Sequence, residues 1–312
     1  MSYDGLKVCV VVPARNEAPF IGQVIASIPA WIDGIIVVDD ASTDGTDDIV
    51  RGCRDPRLRL VRLPFTHGVG GTMTAGYREA LAAGYDIIAK MDGDGQMPPE
   101  YLPDLVAPLT REGFAYAKGN RFLGGLPTSH MPRKRLLGNI VLTFLTKAAS
   151  GYWNIFDPQN GYTAITAHAL RRINLNAVDQ GYFFENDMLV QMNLSNLRIK
   201  DVQIPAQYGH EISGIRPLYV GLSFPFLLFR KFLYRIYEKY ILRDFSPIAL
   251  FLITGSLLFL WGLSFGIFLW VRSKALGVPA ATGTIMLAIV PLILGFQLLL
   301  QAIVLDIQET PR

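Results

Sequence analysis

Cysteine and net charge are both scarce in this chain of 312 residues. The two cysteines, Cys9 and Cys53, are too few for the disulfide framework of a small secreted domain, and they suit reduced thiols in the cytoplasm. The formal net charge of +3 gives no argument for nucleic-acid binding, so we expect no nucleic-acid partner. Apolar residues make up 51% of the chain, which is enough for a real core.

Glycine-rich nucleotide motifs are incomplete or missing. The P-loop sequence Gly-Lys-Ser/Thr does not occur. Residues 67–71 read His-Gly-Val-Gly-Gly ahead of a predicted helix, but the third glycine of the pattern G-x-G-x-x-G is replaced by Met73. The sequence therefore gives little support to a nicotinamide-dinucleotide site.

Charged residues are absent from two long stretches, 245–271 and 275–305. Each is longer than the roughly 20 residues needed to cross a bilayer. We predict a multi-pass hairpin of two transmembrane helices, at about 246–271 and 283–305. The alternative is a pair of buried helices in a large soluble core, but soluble helices rarely run this long without a polar face.

Basic residues precede the first of these stretches, and positive flanks stay on the cytoplasmic side. They are Arg230, Lys231, Arg235, Lys239 and Arg243. Basic residues in the hairpin loop, Arg272 and Lys274, weaken this argument. The chain enters a predicted strand at Leu6 with no signal peptide before it, so we expect a cytoplasmic N-terminal domain on the cytoplasmic (inner) membrane. The predicted divisions are a domain over 1–215, juxtamembrane helices over 216–245, the spans over 246–305 and a cytoplasmic tail over 306–312.

The segment from Pro225 to Phe245 has apolar and charged residues on opposite sides of a predicted helix. The apolar side carries Phe226, Phe229, Leu233, Ile236 and Tyr240, and the other side carries Lys231, Arg235, Glu238 and Lys239. This pattern is typical of a helix lying in the membrane interface, and also of a helix packed on its own domain. We favour the interface, because the segment adjoins a predicted span.

Strand and helix patterns alternate before residue 205. The predicted elements are strands at 6–12, 35–39, 58–63, 85–91 and 114–118, and helices at 20–28, 46–52 and 71–82. Such alternation predicts an α/β fold, with a mainly parallel sheet and helices on both of its faces. Ligands of these sheets bind at the carboxyl ends of the strands.

Polar clusters occur at three predicted strand ends, at residues 13–17, 39–45 and 91–96. The third, Met-Asp-Gly-Asp-Gly-Gln, places Asp92 and Asp94 one residue apart in a turn that Gly93 and Gly95 make flexible. Carboxylate oxygens are the ligands preferred by hard cations such as Mg²⁺ and Mn²⁺. The cluster predicts a divalent-cation site, although Asp and Gly are also common in ordinary polar turns.

Three segments, VVVPARNE, IVVDDASTDGT and MDGDGQMPPE, resemble in this order the family 2 glycosyltransferases, which have a GT-A fold. The resemblance covers roughly the first two thirds of the chain. A membrane hairpin preceded by YGHEISGIRP further resembles the polyprenyl-phosphate glycosyltransferases, relatives of dolichyl-phosphate mannose synthase.

The resemblance implies a role for each matching position. Asp40 is expected to receive the base or ribose of the donor. The metal ligands, for Mg²⁺ or Mn²⁺, are expected to be Asp92, Asp94 and Gln96. The remaining residues expected at the nucleotide sugar are Pro13, Arg15, Glu17 and Gly70.

The resemblance also suggests catalytic residues beyond the metal turn. Arg121 and Arg133 are expected at the acceptor phosphate, because the guanidinium fork suits phosphate, and Asp94 acts through the metal. Arg133 lies in a basic loop that could instead face anionic lipid. Glu185 or Asp187 is expected to serve as a general base, and Asn186 between them leaves the choice open. Either acid could instead cap the helix that follows.

The resemblance implies a metal-dependent, inverting glycosyltransferase. It would move one sugar from a nucleoside-diphosphate sugar to a polyprenyl phosphate, such as undecaprenyl or dolichyl phosphate, in the membrane. One alternative is a membrane glycosyltransferase that acts on a hydroxyl of a lipid-linked sugar or polysaccharide. A more remote alternative is an inactive nucleotide-sugar-binding scaffold. The donor base, the sugar and the oligomeric state stay open, and a homo-oligomer is compatible with all three functions.

Overall fold

A computed structural model of the protein describes residues 3–123, 133–205 and 217–311. Its contacts divide the chain into two compact units. The first unit is Met1–Lys231 with Pro311–Arg312, and it contains all the strands found in the described residues. The second unit is Phe232–Thr310, and it contains both charge-free stretches.

The first unit alternates strands and helices, as predicted. Its strands are β1 (Val8–Ala14), β2 (Gly34–Asp39), β3 (Leu58–Arg62), β4 (Ile87–Lys90), β5 (Tyr116–Asn120), β6 (Thr163–Thr166) and β7 (Ile199–Gln203). Its helices are α1 (Ile21–Ser27), α2 (Thr46–Gly52), α3 (Gly68–Ala82), α4 (Leu102–Arg111), α5 (Arg133–Ser150), α6 (Ala167–Arg172) and α7 (Phe184–Leu194). Helix α8 (Pro217–Tyr237) begins in this unit and ends in the second.

The strands form one sheet in the order β3-β2-β1-β4-β6-β5-β7. Strand β6 is antiparallel to its neighbours β4 and β5, and the other pairs are parallel. This confirms the mainly parallel α/β sheet. The first strand lies two residues later than predicted, because its pairing with β2 continues to Ala14 opposite Asp39. The carboxyl ends of β1, β2 and β4 therefore meet at one edge of the sheet.

Both faces of the sheet are covered. Alternate residues of β1 point to opposite sides, so Val10 joins one hydrophobic cluster and Val11 the other. The first cluster includes Leu105 of α4, and the second includes Met73 of α3. Central strands buried on both faces explain why the sequence shows continuous apolar runs at these positions.

The second unit is dominated by two helices, α9 (Pro247–Leu276) and α10 (Thr282–Gln308). Both are long and apolar enough to cross a membrane. In the most apolar 18-residue segment of each helix, only 22% (α9) and 17% (α10) is buried. A soluble-core helix would be mostly covered. Instead, large side chains such as Leu257 and Trp261 are more than half exposed. This exposure favours a membrane-associated pair over the buried-core alternative.

Small residues let α9 and α10 approach closely. A Cβ atom at Gly262 would lie 2.6 Å from the Ala288 carbonyl oxygen, and one at Gly295 would lie 2.4 Å from the Phe259 nitrogen. Such close backbone approach is typical of helix packing in membranes, where dispersion contacts replace the hydrophobic driving force.

A buried ion pair lies at the other end of this unit. Both nitrogens of the Arg235 fork donate to Asp306, at 2.7 and 2.9 Å, and the Tyr240 hydroxyl donates to the same carboxylate at 2.6 Å. We call these three residues the helical latch. Arg235 is fully buried, so it does not lie on a solvated polar side of α8, as its spacing had suggested. A charge this deep requires a partner, and only the fold reveals that the partner is 71 residues away.

Candidate active site

Two of the predicted loops are joined by hydrogen bonds at the carboxyl edge of the sheet. The Glu17 N–H donates to the Thr46 hydroxyl at 2.9 Å, and the Asn16 N–H donates to the Ser42 hydroxyl at 2.9 Å. Asn16 has a φ of 57°, a left-handed conformation that asparagine tolerates better than most residues. Pro13, Arg15 and Glu17, the residues predicted to border the nucleotide, thus belong to a segment fixed against the loop after β2.

The turn after β4 lies against this segment. A Cβ atom at Gly93 would lie 3.3 Å from both the Pro13 carbonyl oxygen and Glu17 Cγ, so even a methyl group there would be tight. Asp92, Asp94 and Gln96 follow one another in this turn, each partly exposed. We call residues 91–96 the metal turn. The three polar clusters predicted at strand ends therefore converge.

The donor groups of the metal turn fit a hard cation. Asp94 Oδ1 accepts the Gln96 N–H at 2.9 Å, which fixes the direction of the carboxylate. In the described residues, no three His, Cys, Asp or Glu side chains converge as a preformed metal cluster. Two carboxylates therefore suit an ion that takes its other ligands from phosphate oxygens and water, as Mg²⁺ does.

A buried lysine supports the metal turn from below. Lys90, the last residue of β4, is 2% exposed, and its Nζ lies 3.3 Å from Asp92 Oδ1 and 2.9 Å from Glu185 Oε1. We call this arrangement the carboxylate bridge. Burial alone would lower the pKa of the Lys90 ammonium, but the charges of Asp92 and Glu185 outweigh it and raise that pKa. Lys90 is therefore a cation at neutral pH.

The two candidate bases on α7 point to different surroundings. Glu185 joins the carboxylate bridge, whereas Asp187 is fully buried and accepts the Asp179 N–H at 2.9 Å. Lys231 Nζ lies 2.7 Å from each oxygen of Asp187. Burial raises the pKa of Asp187, and Lys231 offsets part of that rise. Neither acid caps α7, which begins at Phe184 without a side-chain cap.

The carboxylate of Asp40 already has two backbone partners. Its oxygens accept the N–H groups of His67 and Gly68 at 2.7 and 2.9 Å, so Asp40 holds the glycine-rich start of α3. A Cβ atom at Gly70 would lie 2.1 Å from the Asp179 carbonyl oxygen. Glycine at position 70 thus allows close packing against the residues before α7, an explanation that needs no nucleotide.

Arg121 follows β5 and is paired within the protein. Its guanidinium donates to both carboxylate oxygens of Asp157 at 2.7 Å, and the backbone N–H of Arg121 donates to the same carboxylate at 3.1 Å. Burial would raise the pKa of Asp157, but Arg121 and Lys118 outweigh it and hold that pKa below its usual value. Arg121 nevertheless remains 38% exposed. Arg133 is the first residue of α5, and its side chain lies outside the described part of the chain, as does the segment 208–216.

Comparison with known proteins agrees with this arrangement. The sequence profile of glycosyl transferase family 2 matches residues 9–173, just over half of the chain. The chain belongs to glycosyl transferase family 2. This confirms the resemblance carried by the three segments around β1, β2 and β4, and with it the glycosyltransferase class.

Two proteins with similar sequences come from Micrococcus luteus and Mycolicibacterium smegmatis. An undecaprenyl-phosphate mannosyltransferase of Micrococcus luteus is 31% identical over 206 residues, 64% of this chain and 83% of that protein. A polyprenol monophosphomannose synthase of Mycolicibacterium smegmatis is 31% identical over 220 residues, 66% of this chain and 78% of that protein. Both matches cover about the length of the first unit.

A solved structure shares the fold of this family 2 chain. Glucosyl-3-phosphoglycerate synthase from Mycobacterium tuberculosis, in complex with Mn²⁺, UDP and glucosyl-3-phosphoglycerate, superposes with a TM-score of 0.55 at 23% identity. The match covers 74% of this chain and 80% of that one. It confirms the GT-A fold predicted from the sequence.

Three contacts at the site of this family 2 protein escape sequence reasoning. They are the bridge through Lys90, the pairing of Asp187 with Lys231, and the pairing of Arg121 with Asp157. Only the contact of Lys90 could have been suspected from the sequence, because this lysine ends an apolar strand directly before an acidic turn. The other two contacts span 44 and 36 residues of sequence and have no local pattern.

Proposed function

We propose that this protein is a membrane-anchored, metal-dependent glycosyltransferase that moves one sugar from a nucleoside-diphosphate sugar to a polyprenyl phosphate. The observation that carries the proposal is the convergence of the metal turn with the loops after β1 and β2. The two apolar helices in the same chain, and relatives named for undecaprenyl phosphate and polyprenol, support a lipid acceptor.

The donor would lie along the carboxyl edge of the sheet. Residues 13–17 would border the nucleotide, and Asp92, Asp94 and Gln96 would hold Mg²⁺ or Mn²⁺ at the diphosphate. A bound divalent cation offsets the negative charge that grows on the departing diphosphate. Asp40 would contribute by fixing the start of α3, since its two oxygens already accept backbone N–H groups.

The acceptor would approach from the side of β5, α5 and α7. The exposed fork of Arg121 suits a phosphate, and Asp157 would hold that fork in place. A phosphate acceptor is largely ionised at neutral pH, so it needs little help from a base. Glu185 would then act mainly as a fixed charge beside the metal turn.

Membrane association would bring the lipid to this side. Helix α5 exposes Ile140, Val141 and Phe144, and α8 exposes Phe226 and Phe229. Exposed apolar side chains on a helix that also carries basic residues are typical of interfacial helices. We propose that both helices lie at the cytoplasmic membrane surface, with α9 and α10 as a transmembrane hairpin.

A hydroxyl acceptor is the second candidate. The position of Glu185 favours it, because the fold brings a carboxylate, a common type of general base, next to the metal turn through Lys90. Such an enzyme would need the base, whereas an enzyme acting on lipid phosphate would not.

One experiment separates the two acceptors. The purified full-length protein is incubated with Mn²⁺ or Mg²⁺, radiolabelled UDP- or GDP-sugars, and either polyprenyl phosphate or the unphosphorylated polyprenol. We expect label in the organic phase with the phosphate alone. Label with polyprenol, or no label with either lipid, would contradict the proposal. The Asp94→Asn variant is the matched control for label that does not depend on the metal turn.

A further inference from the structure

The carboxylate bridge contains one cation between two carboxylates, directly beneath the metal turn. Lys90 Nζ contacts Asp92 Oδ1 on one side and Glu185 Oε1 on the other. Asp92 is a predicted metal ligand, whereas Glu185 comes from a helix 95 residues further along the chain. Burying an ammonium group costs desolvation free energy, which the attraction to both carboxylates offsets.

We propose that Lys90 is a positioning residue whose charge prevents the metal turn from holding a divalent cation until the nucleoside diphosphate supplies further ligands. This inference rests on the metal binding of the proposed function. With Lys90 present, its single positive charge neutralises one of the two bridge carboxylates. Without it, no positive charge would lie between Asp92 and Glu185, and Asp92 would offer its full negative charge to an arriving hard cation.

The surroundings keep this charge where it is. Lys90 Nζ cannot turn to solvent, since the side chain is 2% exposed. A Cβ atom at Gly161 would lie 2.5 Å from Lys90 Nζ and 3.4 Å from Asp92 Oδ2, so the bridge fills the space above it. Below lie Tyr77 and Tyr116, and burial raises the pKa of both phenols above the usual value. These groups are neutral at physiological pH, and they leave Asp92 and Glu185 as the charges that Lys90 balances.

The geometry also explains why Asp92 is a weak ligand by itself. One of its oxygens faces Lys90, so an arriving cation meets a carboxylate whose charge is already shared. Diphosphate oxygens would restore the missing negative charge. The ion and the nucleotide would then bind together and leave together, which keeps the product complex from trapping the metal.

The test is a titration of the full-length protein in detergent with Mn²⁺, using the electron paramagnetic resonance signal of free Mn²⁺, without nucleotide and with UDP or GDP. Without nucleotide, we expect Lys90→Met to bind Mn²⁺ about tenfold more tightly than wild type, because a positive charge close to the ion is removed. Lys90→Arg retains the charge and should bind as weakly as wild type. Glu185→Gln removes one acid instead and should weaken the binding of Mn²⁺.

Lys118→Met is the matched control. Lys118 is also a buried lysine and is also paired with Thr163 in the sheet, but its Nζ donates to the backbone carbonyls of Asp157 and Gly119. We expect this variant to leave the Mn²⁺ affinity unchanged. Glu185→Gln keeps Lys90 and tests the same balance of charge if Lys90→Met fails to fold.

The outcomes are distinct for the two proposals. If wild type binds Mn²⁺ with nucleotide but Lys90→Met binds it no more tightly without nucleotide, the role of Lys90 is wrong and the metal turn stands. If Lys90→Arg binds as tightly as Lys90→Met, charge is not the cause and the inference is again overturned. If wild type binds no Mn²⁺ even with both nucleotides, the metal turn itself is wrong, and this inference falls with it.

Discussion

The carboxylate bridge and the helical latch both bury a cation, but they balance its charge differently. In the latch, Arg235 meets one carboxylate, that of Asp306, in a fully buried bidentate pair. In the bridge, Lys90 meets two carboxylates, and one of them, Asp92, is 32% exposed. The latch is neutral and closed, whereas the bridge keeps a net negative charge and opens towards the metal turn.

This difference shows which buried charges serve the fold and which are available to a ligand. A closed neutral pair has its hydrogen-bonding capacity satisfied from inside, so its loss should affect stability and little else. An open cluster with excess charge has capacity left for a partner from outside, so its loss should affect binding and turnover. The pair of Arg121 and Asp157 lies between these cases, because the carboxylate is buried while the guanidinium is partly exposed.

The largest effect should come from opening the latch. Asp306→Asn leaves Arg235 buried without a charged partner, and we expect the free energy of unfolding to fall by about 3–5 kcal/mol. Thermal unfolding in detergent measures the loss, and nucleotide binding at a temperature below the transition should stay as in wild type. Glu309→Gln, an exposed acid one turn later, is the control. A stable Asp306→Asn protein that has lost nucleotide binding would show that the latch is not purely structural.

The second effect concerns the open end of the bridge. Asp94→Asn should lower transfer by about 100-fold or more, as removal of a key electrostatic group does, while the fold stays intact. EDTA should abolish transfer, and added Mn²⁺ should restore it. Asp48→Asn, on the exposed side of α2, is the control and should be fully active. Full activity of wild type in excess EDTA would mean that the metal turn binds no essential cation.

The third prediction concerns the pH dependence of the stability that the Arg121–Asp157 pair contributes. Because Arg121 and Lys118 hold the pKa of Asp157 below its usual 3.8, the ionised carboxylate stabilises the fold. This contribution is complete above pH 3.8 and is lost as the pH falls through the lower pKa of the folded protein. Asp157→Asn should therefore lower the free energy of unfolding by about 2 kcal/mol at pH 7, and by less below pH 4. Denaturant unfolding at several pH values measures this difference. A constant difference at all pH values would exclude a charge effect.

The smallest effect asks whether Arg121 also serves the acceptor. Lysine keeps the charge but loses the fork, so Arg121→Lys should lower kcat/KM for polyprenyl phosphate by about tenfold, with the KM for the sugar nucleotide unchanged. Steady-state transfer with each substrate varied in turn measures both constants. Arg54→Lys, an exposed arginine, is the control. If Arg121→Lys matches wild type on the lipid and is only less stable, Arg121 belongs with the latch.

Most of the fold was predictable because its signals are local. Alternating strands and helices up to β4, two stretches without charge and three polar clusters after strands can each be identified within short windows of sequence. The clusters converge because parallel strands end at one edge, which is a property of the fold class. The antiparallel β6 was not predicted, since a short buried strand has no pattern that reports its direction.

The choice between Glu185 and Asp187 shows where local signals end. The two acids lie two residues apart on one helix, and the sequence alone does not indicate which of them lies at the site. The tertiary structure directs Glu185 to Lys90 and Asp187 to Lys231, because residues two apart on a helix point about 200° apart and meet different elements. The sequence by itself determined the family, the mainly parallel sheet and the position of the acidic turn after β4, since those depend on short motifs and periodicity. The partners of the buried charges were decided by the tertiary structure alone, because a charge is paired by whatever the fold brings within a few ångströms, however distant it is along the chain.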